Sequence, residues 1–405
     1  MKIKISIIIP IFNAVQYIDN CLTTLLAQGN KQLEIICVDD GSTDGSAELI
    51  RSFGKRDRRV KYLYQRNEGA GSARNLGMQV ATGEYLLFLD VDDIFEKNML
   101  SLLVENINDQ DIIVFDADQF DATSNKVNGN WSAIHFLPEN KDLFSAEEVR
   151  NSIFNFTIPA AWNKLFKRSF IESENIYFQN IRSSNDLFFT YASLCKGKKI
   201  TVINKKLVHY RYNNEFSIQG NSNKNIYDAF DALMKLDKYL KTNSLYKPYE
   251  KSYIKMACDI VVYTLSRAKN TQLVGLRNDP IIKCYIENLI KNSDFIHRHI
   301  LEDQIIIYGA GVVAQVFVRY ITEVMKISKT KISVLISNEP NDGEMVCNIK
   351  IQSIRSFDPF QIGTIYICAT SEKSKIEMIK NAKKYQIERI ECISDVELLS
   401  MMFKA

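Results

Sequence analysis

The sequence has no paired cysteines. Its eight cysteines are scattered singly, with no Cys-x-x-Cys pair. That excludes a disulfide framework and leaves the thiols as small apolar residues of a reducing compartment. No apolar run approaches the length of a membrane span, and Ile260–Leu265 is far too short. No basic run is dense enough for a polybasic anchor, and a net charge of +3 is too small to imply nucleic acid as a partner. The stretch Lys4–Pro10 enters a strand pattern directly, without the charged, apolar and cleavage regions of a signal peptide. The expected location is therefore the cytoplasm, with a peripheral place at the inner face of the membrane compatible with it. In that compartment the Asn130-Trp131-Ser132 sequon carries no weight. What is present fits a folded globular chain, 46% hydrophobic and 24% charged. Its 405 residues suggest two or three domains.

The stretch Tyr85–Asp93 organises the rest. A short apolar run, with Gly83 just upstream, ends abruptly in Asp90, Asp92 and Asp93. Such a run predicts a strand buried on both faces, as in a parallel sheet. On an extended chain Asp90 and Asp92 face the same way. Ligands bind at the carboxyl ends of strands in open α/β sheets, and two convergent carboxylates there make a seat for a hard divalent cation. The plainer reading is a strand-ending turn with Asp93 capping a helix from Glu96 to Asn106.

Upstream, strands and helices alternate. Ile5–Ile9 is a strand ended by Pro10, Ile11-Phe12-Asn13 a turn, and Tyr17–Gln28 an amphipathic helix. Leu33–Val38 is a strand running into Asp39–Gly45, followed by the helix Ser46–Phe53. Val60–Tyr64 is a third strand, Arg66–Gly71 a glycine-rich turn, and Ser72–Val80 a helix. This order predicts an α/β fold with a doubly wound, mostly parallel sheet. The polar loops then line one sheet edge and suit a nucleoside diphosphate. Asp39 and Asp40 are short acceptors for a base N–H or ribose hydroxyls. Arg74 offers a planar fork of donors, and Asn75 can pair with a base edge. Asn67 and Gly69 keep the intervening loop narrow. Each loop taken singly also reads as ordinary turn and cap chemistry.

Several segments together resemble a known family. Pro10-Ile11-Phe12-Asn13, Val38–Asp44, Asn67-Glu68-Gly69, Ser72–Gly77, Gly83-Glu84-Tyr85 and Asp90-Val91-Asp92-Asp93 are similar, in order and spacing, to the motifs of family 2 glycosyltransferases. The resemblance implies a GT-A fold, inversion at the anomeric carbon, and a nucleotide-activated sugar, usually on uridine diphosphate. It places Pro10, Asp39, Asp40, Arg74 and Asp90 on the nucleoside. Phe12, Asn13, Asn67, Gly69, Asn75 and Val91 lie within the same motifs. It makes Asp92, with Asp90, the seat of Mn2+ or Mg2+ on the diphosphate. An inverting transfer also needs a carboxylate to take the acceptor's proton. The family carries an acidic pair where this chain has Ser183-Ser184-Asn185-Asp186. Asn185 stands in place of the usual Glu, and Asp186 corresponds to the base. Its structural alternative is a helix N-cap before Leu187–Leu194.

Residues 110–215 would form the acceptor side. Asp111–Asp116 reads as a strand. Trp162-Asn163-Lys164-Leu165-Phe166-Lys167 is similar to a segment packed near the acceptor site, with Trp162 either a sugar-stacking platform or core. Val208–Tyr212 is similar to the family's aromatic-rich strand. There His209 is either a nitrogen ligand to the cation or a structural histidine. The polar stretch Asn213–Asn225 would make a lid.

From Ile226 to about His299 apolar residues recur at helical spacing, giving a helical connector broken at Asn278-Asp279-Pro280. His297 and His299 are two apart and so do not share a helical face. Gln304–Tyr308 is a new strand, followed by Gly309-Ala310-Gly311-Val312-Val313-Ala314 and a helix over Gln315–Met325. Lys331–Ile336, Thr364–Ala369 and Glu388–Cys392 are further strands, with a helix over Ser374–Tyr385. This is a small Rossmann-like domain whose glycine turn suits a phosphate. It lacks a clear acid at the end of its second strand, where Ser337, Asn338 and Glu339 are the polar candidates. A scaffold or self-associating role is the preferred reading.

The domains are therefore expected at 1–215, 216–300 and 301–405. The expected function is transfer of a sugar from a nucleotide donor to a glycan or lipid-linked glycan of a bacterial surface polysaccharide. Two rival classes remain, of which the first shares the sheet order. A sugar nucleotidyltransferase needs a basic, glycine-rich first loop where this chain has Pro10–Asn13. A nicotinamide oxidoreductase needs a catalytic acid or base in the last hundred residues. A third alternative, a scaffold on a dead transferase fold, is opposed by the intact Asp92 and Asp186.

Overall fold

A computed structural model describes residues 5–29, 32–121, 127–131, 143–212, 225–268, 270–292, 305–309, 312–324, 328–336, 344–354, 364–369, 372–384, 390–394, 397 and 399–401. The expected lid residues 213–224, His297, His299, Ala310, Gly311 and residues 337–339 lie outside them. The chain divides into two compact units, Met1–Tyr253 and Ile254–Ala405.

The first unit begins β1 (Ile5–Ile11), α1 (Val15–Ala27), β2 (Leu33–Asp39), α2 (Ser46–Arg56), β3 (Val60–Tyr64), α3 (Ala70–Val80) and β4 (Tyr85–Phe88). It continues with β5 (Ile94–Phe95), α4 (Met99–Asn106), β6 (Ile112–Asp121), β7 (Val127–Trp131), β8 (Lys164–Lys167), α5 (Arg168–Glu174), α6 (Asn185–Lys196), β9 (Ile200–Tyr212) and α7 (Ile226–Thr242). α8 (Tyr246–Arg267) contains the division between the units.

The sheet order is β3-β2-β1-β4-β8-β6-β9-β5, with β7 on β6. β3, β2, β1 and β4 are parallel, β8 runs antiparallel to both β4 and β6, and β6 and β9 are parallel again. The apolar runs explain the parallel half: every residue of β2 and β4 is buried, as a sheet covered on both faces requires.

Two local readings change. Pro10 does not end β1, which continues to Ile11 with Pro10 opposite Val38. Ile8 accepts the Leu89 N–H on the β4 side and Ile11 accepts the Asp40 N–H on the β2 side. Pro10 shares the parity of Ile8, so its missing N–H falls toward β4, which has already ended. Asp93 does not cap a helix at Glu96: Ile94–Phe95 is a strand antiparallel to β9, and α4 starts at Met99.

An aromatic group of Phe88, Phe166, Phe178 and Phe189 joins β4, β8 and α6, with Phe178 and Phe189 stacked at 3.9 Å. Such pairs add about 0.5–1.5 kcal/mol each beyond area burial. They anchor α6, whose residues Leu187–Cys195 are all buried.

The second unit adds α9 (Asn270–Asn278), α10 (Pro280–Asn292), β10 (Ile305–Tyr308), α11 (Val312–Arg319), β11 (Ile332–Ile336), β12 (Met345–Val346), β13 (Ile349–Ser353), β14 (Thr364–Ile367), α12 (Glu372–Lys384) and β15 (Ile390–Cys392). Its sheet runs β12-β13-β11-β10-β14-β15, all parallel except the β12–β13 hairpin. This is the Rossmann-like order built outward from a central first strand. The hairpin turns on Cys347 and Asn348, both at positive φ. Gly309 follows β10 at φ 125°, where a side chain would run into the Cys368 carbonyl.

Candidate active site

The site is built from the loops that follow β1, β2, β3 and β4, and side chains bond those loops to one another. After β1, Asn13 sits at φ 46°. Its Oδ1 accepts the Thr43 N–H at 2.8 Å and its own N–H donates to Ser42 Oγ at 3.0 Å. After β2, Asp44 accepts from Val15 N, Ser46 N and Ser46 Oγ, so one carboxylate serves the starts of α1 and α2. Partial burial works against its ionisation, but these donors hold its pKa below the usual value.

Asp39 and Asp40 are both buried and differ in their partners. Asp39 accepts the Ser42 N–H at 2.9 Å and the Tyr62 hydroxyl at 3.0 Å. Asp40 reaches across to the loop after β3. One oxygen accepts from Gln65 Nε2 and Glu68 N, the other from Gly69 N, all at 2.7–2.8 Å. Gly69 takes φ 95° as it turns the chain into α3, a conformation glycine adopts freely. Asn67 Oδ1 accepts from Arg182 Nη1 at 2.5 Å.

Arg74, on α3, is buried at 7% exposure. Its fork is used on protein: Nη2 pairs with Asp90 Oδ1 at 2.7 Å and Nη1 donates to Asn185 Oδ1 at 2.8 Å. The guanidinium also lies over the Phe178 ring. It thus spans from the end of β4 to the start of α6. Asn75 is engaged elsewhere, its amide donating to the Phe178 carbonyl and accepting the Phe178 N–H. It staples α3 to the segment before α6, so the donor and acceptor expected to pair with a base edge are engaged with the Phe178 backbone.

β4 stops at Phe88, so the strand alternation expected for Asp90 and Asp92 does not apply. Asp90–Asp93 is instead a turn in which the Asp93 N–H reaches the Asp90 carbonyl at 3.3 Å. Arg211 on β9 grips it twice, its N–H donating to Asp93 Oδ1 and its Nε to the Asp92 carbonyl. The Arg211 guanidinium lies against the rings of Tyr17 and Phe120. The other carboxylate oxygen of Asp93 is buried with no hydrogen-bond partner among the described residues. Burial, then the charges of Asp92 and Asp90, push its pKa well above the ordinary value.

Asp186 lies in the first turn of α6, with Ser184 in the N-cap position. It is therefore inside the helix and not its cap. Ser183, just before it, is held by Asp228 of α7. Burial raises the Asp186 pKa, Arg74 works against that, and Asp90 adds to it. Tyr210, on β9, feels the same charges. Burial raises its pKa, and so do the charges of Asp93, Asp90, Asp92 and Asp186. Sequence reading did not single out Tyr210, Arg211 or Lys164 as site residues. The signals were the aromatic strand for Tyr210 and Arg211 and the Trp162–Lys167 segment for Lys164.

The remaining candidates lie around this group. Phe12 is exposed at the mouth of the β1 loop, and Pro10 and Val91 are partly exposed. Trp162 is 6% exposed and stacks on Tyr210 at 5.6 Å, so it is packing beneath the tyrosine. His209 does not join the aspartates. Its Nδ1 meets Asp118 at 2.5 Å and its Nε2 meets Glu96 at 3.0 Å, which occupies both ring nitrogens.

The residues present fit a hard cation by chemistry. Asp90 and Asp92 are oxygen donors, crowded with Asp93 so that each negative charge raises the cost of the next. Among the described residues no three ligands are preassembled around one point. No helix among them is long and apolar enough to cross a membrane.

The profile of a family described as Glycosyl transferase family 2 matches residues 6–173. Glycosyltransferase GlyG of Streptococcus pneumoniae is 32% identical over 226 residues, covering 52% of this chain and 71% of that protein. Cholesterol galactosyltransferase of Borreliella burgdorferi is 26% identical over 307 residues, covering 72% and 83%. Other relatives are longer, and the chain spans about a third of their length. Among solved structures, TarS 1-349 of S. aureus in complex with UDP-GlcNAc has a TM-score of 0.50 at 18% identity. The similarity covers 72% of this chain and 81% of that one, a likeness of fold. The profile runs from β1 nearly to the end of α5 and so takes in the parallel half of the sheet and the loops that follow its strands, and the pneumococcal match extends across most of that protein: the chain belongs to glycosyl transferase family 2.

Proposed function

We propose that this glycosyltransferase moves a sugar, with inversion, from a uridine diphosphate carrier to a hydroxyl of a bacterial surface glycan or lipid-linked glycan. The observation that carries the reading is the place of Asp186. It is a carboxylate with a raised pKa, fixed in the first turn of a buried helix and tied through Asn185 and Arg74 to Asp90 at the donor edge. A general base with its pKa lifted toward the working pH is well matched to proton abstraction.

In this reading the nucleoside rests in the first two loops, on Pro10, Phe12 and Asp39. Asn13, Asp40, Asn67, Gly69, Arg74 and Asn75 frame the loops around it. Asp92, with Asp90 and the Val91 backbone between them, faces the diphosphate. A Mn2+ or Mg2+ ion held there would supply the positive charge that a departing diphosphate needs. Asp186 takes the proton of the acceptor hydroxyl as its oxygen attacks the anomeric carbon. The bond to the diphosphate breaks on the opposite face, and the nucleoside diphosphate leaves with that electron pair. The UDP-GlcNAc complex of the TarS neighbour supports a uridine donor. The names of the curated relatives support sugar transfer. The C-terminal Rossmann-like unit is read as a scaffold, with no part in the chemistry.

The test is a screen of nucleotide sugars with manganese, reading released nucleoside diphosphate, run with native protein and Asp186→Asn. Turnover of a uridine donor by the native chain alone is expected. Equal turnover by Asp186→Asn removes the base assignment. Turnover of none favours a scaffold on a transferase fold, and turnover of a nucleoside triphosphate with sugar phosphate favours a nucleotidyltransferase.

A further inference from the structure

The lead-in to α6 is bent in a way that its sequence does not favour. Ser184, in the N-cap position, has φ 53° and ψ 21°, the left-handed region. Residues other than glycine are strained there. An N-cap serine ordinarily sits extended and bonds its side-chain oxygen to the first turn, but Ser184 makes no such bond. Strain of this kind persists where surrounding groups enforce it. Here they come from several elements. Arg182 reaches the loop after β3 through Asn67 at 2.5 Å. Asn185 accepts from Arg74, and its carbonyl accepts the Gln179 N–H at 3.2 Å. Ser183 is gripped by α7. Its N–H donates to Asp228 Oδ2 at 2.8 Å, and its hydroxyl lies 3.2 Å from the same oxygen and 3.3 Å from the Asn225 carbonyl. Asp228 is the third residue of α7, where an acid ordinarily reaches back to the start of its own helix. This one turns an oxygen to the start of another helix.

We propose that Asp228 is a positioning residue for transfer: by fixing Ser183 it keeps Ser184 left-handed, and so sets how the first turn of α6 presents Asp186 to the acceptor hydroxyl. This rests on Asp186 being the base. Asp186 follows Ser184 by two residues, while Leu187–Cys195 are all buried and cannot shift with it. Relaxation of Ser184 toward extended backbone is therefore taken up at Asn185 and Asp186. A general base must come within about 2.6–3.2 Å of the proton it removes, so a small displacement is enough to slow transfer. The loops after β1 and β2 are braced through Asn13, Asp40 and Asp44 instead, so donor binding does not depend on Asp228.

The test uses the full chain carrying Asp228→Ala, assayed well below its Tm on the uridine donor that the manganese screen turns over. The expected result is a kcat lower by roughly tenfold or more, with donor KM and uridine diphosphate affinity within about twofold of native. Both contacts from Ser183 go to one oxygen, which an amide oxygen can replace, so Asp228→Asn should recover most of kcat. Ser184→Gly added to Asp228→Ala should also recover kcat, because glycine holds the left-handed region without a brace. Native kcat in folded Asp228→Ala, beside an inactive Asp186→Asn, overturns the proposal and leaves the base reading standing. Equal losses of kcat and uridine diphosphate affinity, or no recovery with Ser184→Gly, also overturn it and give Asp228 a general structural role. Full activity of Asp186→Asn, or no turnover by the native chain, removes the base reading and the proposal with it. Should Asp228→Ala not fold, Ser184→Val decides. A β-branched residue resists the left-handed region with Asp228 intact, so kcat alone should fall, and a native kcat overturns the proposal.

Discussion

Replacing Asp40 with asparagine separates framing of the site from contact with the nucleoside. The carboxylate accepts three donors, two on one oxygen and one on the other. An asparagine can keep its oxygen toward Gln65 and Glu68. Its NH2 must then face the Gly69 N–H, donor against donor, at a buried contact. The loss is one charge-assisted bond plus an orphaned backbone N–H, together roughly 2–4 kcal/mol. For a cooperative unit of this size that lowers Tm by roughly 5–15 °C. Calorimetry of the native and Asp40→Asn chains reads the stability. Titration of uridine diphosphate well below both midpoints reads the site. The expected result is a large drop in Tm with affinity reduced less than about tenfold, a loss under 1.4 kcal/mol. An unchanged Tm with affinity lost a hundredfold would refute the reasoning and make Asp40 a direct ligand.

Three further outcomes are expected. Asp92→Ala should cut transfer by at least roughly a hundredfold and abolish the response to added manganese; full activity in a chelator would count against a metal on Asp92. Asp93 has a folded pKa raised above its unfolded value. The native state therefore holds a proton that the unfolded chain releases as pH rises past about 4, and without divalent ions stability falls from there upward. Asp93→Asn should flatten that decline in thermal melts across pH 4–8; an identical decline would place the cause elsewhere. Arg74→Lys keeps the charge but not the planar fork, so one of the bonds to Asp90 and Asn185 is lost. Transfer should fall more than donor binding does, and equal losses in kcat and affinity would assign Arg74 to the nucleoside.

The parallel half of the fold was legible because its signals are local. Short apolar runs alternate with helical periods, and the strands end in polar loops, Asp39–Gly41 after β2, Asn67–Gly69 after β3 and Asp90–Asp93 after β4. The short strand Ile94–Phe95 was not legible, since its partner is β9, more than a hundred residues away. Nor was the hairpin at Cys347 and Asn348, whose positive φ values carry no Asn-Gly signature. The same division holds within the site. Asp39, Asp90, Asp92 and Asp186 stand in recognisable motifs. The use of Asn75 on Phe178, the two carboxylates on His209, and the grip of Asp228 on Ser183 depend on pairings between distant segments. No spacing in the sequence encodes them.

The bonds from Asn13 to Thr43, Asp40 to Gly69, Arg74 to Asp90 and Asn185, and Arg211 to the aspartate turn form one chain of contacts around the donor edge. Its consequence concerns how such a protein can change. A substitution or insertion in any one of these loops is felt in the next, because each loop supplies the other's hydrogen-bond partner. Drift in this region is therefore correlated, and few single steps are tolerated. A lineage that acquires a new specificity has freer ground in the exposed side chains of these loops, of which Phe12 is one.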